Sequence, residues 1–170
     1  MPGRHLTLFS LALVALMAAF GASSAHAACT DPPGPGVDWR RCSLDGQDLT
    51  GANLSGMHLR DTSLHRSKLA NARLVGADAD RARFVSAQVD GADFTEARLR
   101  EADFTRASLR GAKFLRADLR RARLFGADMT DADLTGAMLL GTDFTNVILA
   151  GVTWTDGARV CAAGSVGSCQ

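Results

Sequence analysis

The chain has 170 residues, with 19 Lys and Arg against 18 Asp and Glu and 46% hydrophobic residues, which allows one domain with a sizeable core. A formal net charge of +1 offers neither the basic surplus that nucleic acid wants nor the acidic surplus of a nucleic-acid mimic. Aromatic residues make up 6% and tyrosine is absent, so stacking platforms for bases or sugars are not advertised.

In chain order, the first segment reads as a leader. Arg4 and His5 precede a largely apolar run from Leu6 to Phe20, and small residues come next, ending Ala25-His26-Ala27. That ending fits the A-x-A cleavage pattern, and the run is shorter than the ~20 residues a spanning helix needs. Residues 1–27 are therefore read as a signal helix that is cleaved, rather than as a retained anchor. A lipoprotein anchor on Cys29 is disfavoured by His26, which stands where such signals carry a small or aliphatic residue. Without Arg4 the mature chain has equal numbers of basic and acidic residues. No second hydrophobic run suggests a membrane span after signal cleavage, and the expected location is periplasmic or secreted.

Residues 28–41 read as an N-terminal cap. Asp31-Pro32-Pro33-Gly34-Pro35-Gly36 is too rich in turn formers to continue a regular element, and Trp39 is placed to lie over the start of the next segment.

Residues 42–156 are governed by one period. Stepping by five from Leu44 to Trp154 meets 23 apolar residues in succession, with no insertion. A small residue precedes most of them by two, and from Ala72 through Ala137 it is alanine 14 times running. The unit is A-(D/N/R)-(L/F)-x-x. A helix repeats at 3.6 residues and a strand at 2, so a strict five would smear the apolar residues around either. A path that turns every five residues keeps two side chains per unit inward and must stack coil on coil to bury them.

This pattern resembles the pentapeptide-repeat family, whose motif is A-(D/N)-L-x-x. The resemblance implies an all-β, right-handed quadrilateral β-helix with four units per coil, hence about six coils. The charges offer a separate test of four units. Just before each centre, residues 20 apart form nine charged pairs: Asp48/Lys68, Arg73/Asp93, Asp93/Lys113, Lys113/Asp133, Asp78/Arg98, Arg98/Asp118, Arg83/Asp103, Asp103/Arg123 and Arg123/Asp143. All are opposite in sign, as cross-strand neighbours should be, whereas a lag of 15 makes Asp78/Asp93 and Arg98/Lys113 clash. Inside, Phe84 and Phe94 fall on opposite sides of one coil, with Phe104 and Phe114 one coil up. Small Ala79 and Val89 compensate their volume, the alternative being a small cavity.

Residues 157–170 read as a C-terminal cap loop bearing Cys161 and Cys169. An exported chain with an even cysteine count reads as disulfide-bonded. Six coils at ~4.8 Å spacing make a rod of about 28 Å. Cysteines in opposite caps are then beyond the ~7 Å a disulfide spans, which leaves Cys29–Cys42 and Cys161–Cys169.

No constellation of catalytic residues is visible, so the chain is expected to be no enzyme and to carry no cofactor or metal. Gly164-Ser165-Val166-Gly167 lacks the spacing of a nucleophile turn. His58 and His65 fall on adjacent faces, far from the caps. Asp133 is expected over Lys113 in a solvated ladder. Arg60, Arg81, Arg98, Arg100, Arg120 and Arg121 share a face with Asp61, Asp78, Asp80, Glu101 and Asp118, a salt-bridged arrangement. The only local surplus, Arg116, Arg120, Arg121 and Arg123, is a candidate for anion binding. Outward Leu115, Phe125, Met138, Leu140 and Ile148 in the last coils mark a candidate contact surface, covered by the tail, by a second copy or by another protein. The favoured function is a non-enzymatic scaffold or protein-interaction module of the cell envelope, with an unknown protein partner or self-association and no nucleic acid. The alternative comes from the resemblance, since some cytoplasmic members mimic duplex DNA and act on DNA gyrase. The leader and the balanced charge both depart from that pattern.

Overall fold

The structure, a computed structural model, describes residues 29–34 and 36–170, so the leader at 1–27 lies outside the described residues. Every unit ends in the same turn. In Leu44-Asp45-Gly46-Gln47, the Gln47 N–H donates to the Leu44 carbonyl at 3.2 Å and Gly46 has φ +69°. That bond, with positive φ at the third residue, is the signature of a type II turn. It recurs every five residues up to Leu149–Val152. From residue 41 to 151, ten of these corners are glycine and 13 are Arg, Asp, Asn, Glu or Ser. None is β-branched, as the left-handed region demands.

Between turns, one residue bridges to its neighbours in the adjoining coils. The bridges run in steps of five from Asp38↔His58 to Asp133↔Thr153, all parallel, each between residues 20 apart. The β character predicted from sequence thus takes the form of isolated bridges rather than continuous strands, because the corner turns consume the rest of each unit. Backbone bonding is nevertheless nearly complete. The centre and corner N–H groups donate to one neighbouring coil (Leu64 to Arg83 O, 2.8 Å; Arg66 to Val85 O, 3.0 Å). The bridging N–H donates to the other (Lys68 to Gln47 O, 2.9 Å), and the small inward residue closes the turn. Four of the five N–H groups in an interior unit are satisfied by backbone, as burial requires.

The inward column is continuous. Ala72 to Ala132 and the centres Leu54 to Leu134 are buried almost without exception. Phe84 stacks on Phe104 at 4.6 Å and Phe94 on Phe114 at 5.0 Å, and the two stacks meet edge to face at 5.8–6.1 Å. Ala79 and Val89 are fully buried beside them. Where the small inward residue is polar, it donates to an internal carbonyl: Thr62 Oγ1 to Trp39 O (2.6 Å) and Ser67 Oγ to Leu64 O (2.7 Å).

The N-terminal end differs from the sequence reading. Trp39 does not lie over the first coil but occupies a centre position within it. It is buried, its N–H donates to His58 O at 2.9 Å, and Asp38 bridges to His58. Regular register therefore starts one unit earlier, inside the segment assigned to the cap. The reason is that only the turn formers before Val37, not the whole segment, resist the coil. At the other end the tail, read as a cap loop, lies on the last coil. It pairs antiparallel with the last coil through Thr153↔Val160 and Ile148↔Val166. Disulfides join Cys29 to Cys42 and Cys161 to Cys169, with Cα atoms 5.5 and 4.9 Å apart.

Candidate interaction surface

The outward side chains are organised by three local rules. First, an aspartate before a centre reaches the amide two residues on. Asp93, Asp128 and Asp133 each accept from the N–H and hydroxyl of Thr95, Thr130 and Thr135 at 2.6–3.0 Å. This gives an acceptor to the N–H that the coil leaves unpaired, and it gives Asp-x-Thr its place in the repeat. Second, an aspartate just after a centre caps the corresponding N–H one coil up, as Asp45 does for His65 and Asp90 for Arg110. Third, corner arginines descend onto carboxylates 20 residues earlier: Arg81 on Asp61 (2.7 Å), Arg116 on Glu96 (2.6 Å) and Arg121 on Glu101 (4.0 Å).

One side concentrates these pairs. Asp80, only 3% exposed, receives Arg60, Arg98 and Arg100 at 3.6, 3.2 and 2.5 Å. Burial works against its ionised form, but the side-chain and backbone hydrogen bonds from Arg100, with the Arg100 and Arg98 charges, outweigh it and hold its pKa below the ordinary value. Above it, the hydrogen bond from Arg120 depresses Asp118 against the opposing effect of burial. A shallow groove of about 410 Å³ runs along this side, lined by Asp80, Arg81, Arg100, Glu101, Arg120, Arg121 and Leu140.

All nine charge pairs read from sequence are bridge partners. Only Asp48/Lys68, Asp78/Arg98 and Asp103/Arg123 bring charged atoms within 4.0 Å, at 3.6, 3.9 and 3.9 Å. The expected Asp133–Lys113 ladder is replaced by Asp133 turning to Thr135, because an amide two residues away is closer and fixed. Arg116, Arg120, Arg121 and Arg123 do not form one open anion site. Their partners are Glu96, Asp118, Glu101 and Asp103.

The five outward apolar residues are likewise not gathered on one face. The register puts Met138 and Leu140 on the side of Asp80, Ile148 on another side, and Leu115 and Phe125 just after the centres of the remaining two sides. Phe125, Met138, Leu140 and Ile148 are exposed, Leu140 at 81%, while Leu115 is half-buried. The tail pairs edgewise with the backbone at Ile148 and does not cover its side chain, which stays 44% exposed. His58 and His65 lie at the surface or half-buried, and among the described residues no group of three or more His, Cys, Asp or Glu could hold a metal. Among them no helix is long and apolar enough to cross a membrane.

Two family patterns match the sequence: the pentapeptide repeat region over residues 37–114 and pentapeptide repeats over residues 116–151, together about two-thirds of the chain. Among solved structures, HetL, a pentapeptide repeat protein involved in heterocyst differentiation regulation from Nostoc sp. strain PCC 7120, is 29% identical with a TM-score of 0.53. That match covers 72% of this chain and 62% of HetL, so the chain spans less than two-thirds of HetL's length. The pentapeptide repeat protein Rfr23 from the cyanobacterium Cyanothece 51142 is 24% identical with a TM-score of 0.56, over 69% of this chain and 90% of Rfr23. No curated protein matches.

Proposed function

The chain belongs to the pentapeptide-repeat family, and on that premise we propose that it is an exported, non-enzymatic scaffold that engages another protein in the periplasm or outside the cell. The observation that carries this reading is the change in surface character along the rod. Arg–carboxylate pairs dominate up to Arg123, and exposed apolar side chains appear at Phe125, Met138, Leu140 and Ile148. Exposed apolar residues concentrated near one end mark contact sites more often than solvated surface. Two intramolecular disulfides suit an oxidising compartment and so favour export. Within the same proposal the tube is right-handed, of about six coils, with a cap at each end. Interleaved arginines and carboxylates along the Asp80 side speak against a DNA mimic, which needs an uncompensated acidic stripe.

The test is crosslinking in intact cells with identification of the captured partner, repeated with Phe125→Asp and Leu140→Asp. The reading expects a discrete partner outside the cytoplasm whose capture falls with either substitution. Capture of cytoplasmic gyrase by an unprocessed chain would replace it.

A further inference from the structure

The tail covers only two of the four sides of the last coil. There Leu149 N–H donates to Ser165 O (2.9 Å), Gly151 N–H to Cys161 O (3.0 Å) and Cys161 N–H to Val152 O (2.9 Å). At Gly167, whose N–H reaches Val147 O at 3.0 Å, the tail leaves the rim. The Cys161–Cys169 disulfide and the bond from Ala162 N–H to Gln170 O fold it back on itself. On the other two sides, the N–H groups of Leu139, Gly141, Phe144 and Asn146 have no acceptor among the described residues. One coil down, their counterparts Leu119, Arg121, Leu124 and Gly126 all donate upward. The carbonyls of Ala137 and Thr142 similarly lack the donors that Ala117 and Ala122 have.

We propose that this open half-rim is a strand-addition site for an extended segment of a partner protein. An exposed row of unpaired amides and carbonyls is a template for a further chain, and the tail already exploits it on the adjoining sides. The columns beneath specify the occupant. On one side the bridging residues alternate Arg83, Asp103, Arg123, Asp143, so the segment carries Lys or Arg above Asp143. On the other it carries an apolar residue above Met138, which is 45% exposed. Its inward residues are apolar, to cover half-buried Leu139 and Phe144, and it bends at the corner between the two sides. The segment runs antiparallel to the rim, as the tail does.

This inference rests on the interaction-module reading and is tested separately from it. A phage-displayed library of ten-residue peptides is panned on the full disulfide-bonded chain, and selected peptides are characterised by fluorescence anisotropy and amide hydrogen exchange. The expected peptides combine a Lys or Arg with apolar residues. They slow exchange at Leu139, Gly141, Phe144 and Asn146 but not at Leu149 or Gly151. Asp143→Lys weakens them about tenfold, the worth of ~1.4 kcal/mol, and a peptide with Glu in place of its cation restores binding to that variant. Failure to select any peptide overturns the inference, as do selected peptides that ignore Asp143→Lys or leave the four amides unchanged. Protection of those amides in a concentration-dependent dimer of the chain alone overturns it too, since a second copy is then the occupant. If the rim is silent while cellular crosslinking still captures a partner through Phe125 and Leu140, only the strand-addition mode falls.

Discussion

Asp80 shows how much a single outward residue can matter in this tube. Its nearly buried carboxylate accepts charge-assisted bonds from Arg98 and Arg100 and holds the Arg100 amide. Asp80→Asn removes that charge and should lower stability by about 2 kcal/mol in urea unfolding. Arg121, 79% exposed and 4.0 Å from Glu101, should lose less than about 0.5 kcal/mol as Arg121→Ala. Two carboxylates of this side, Asp80 and Asp118, have depressed pKa values in the folded chain. The unfolded state binds their protons more readily, near pH ~3.9, so their contribution is complete above that value and is lost as pH falls through the lower folded values. The urea midpoint should therefore hold from pH 7 to 5, drop below about pH 4, and drop less steeply in Asp80→Asn. The sequence made the sign and register of such charges readable at a lag of 20. It did not reveal which partner each carboxylate chooses, because that choice lies between a flexible arginine one coil away and a fixed amide two residues on. For Asp93, Asp128 and Asp133 the signal was present as Asp-x-Thr, a spacing within one unit that coil-to-coil pairing does not register.

The five-residue unit is specified by its corner as much as by its core. Gly46 and Gly151 both have φ near +70°, but a Cβ on Gly46 meets open space, whereas one on Gly151 would lie 2.1 Å from Asp131 Oδ1. Gly46→Ala should cost about 1 kcal/mol from the backbone alone. Gly151→Ala should cost measurably more in the same thermal or urea experiment, and Asp131→Ala should remove the excess. The core is less forgiving. Phe104 stacks on Phe84 and meets Phe94 and Phe114 edge-on, so Phe104→Ala should cost about 3–5 kcal/mol. The aromatic columns were legible because residues 10 and 20 apart fall on opposite and equal sides of a four-sided coil. Trp39 was not, since turn formers on one side and the cysteine at 42 on the other made its unit look like a cap. The path of the tail was hidden for a related reason. Its antiparallel pairing uses backbone groups on residues with no periodic pattern, and only the coil edge it satisfies explains its course.

At the scale of the whole molecule, the regular rise hides which parts are made for contact. Ion pairs engage many of the outward charges, and acidic and basic side chains alternate along the sides rather than building a field of one sign. The C-terminal end breaks that balance, with apolar side chains and an unfinished rim on the last coil. The whole arrangement depends on the chain returning above itself after 20 residues. Paired cysteines test that return directly, since outward Gln88 and Ser108 are bridge partners while Gln88 and Asp103 are only 15 residues apart and lie on different sides. Parallel bridge partners sit at ~4.8 Å, within disulfide reach. Under mild oxidation, with peptide mapping by mass spectrometry, the chain carrying Gln88→Cys and Ser108→Cys should form the new crosslink while Cys29–Cys42 and Cys161–Cys169 persist. Crosslinking of Gln88→Cys with Asp103→Cys instead would contradict the four-sided coil.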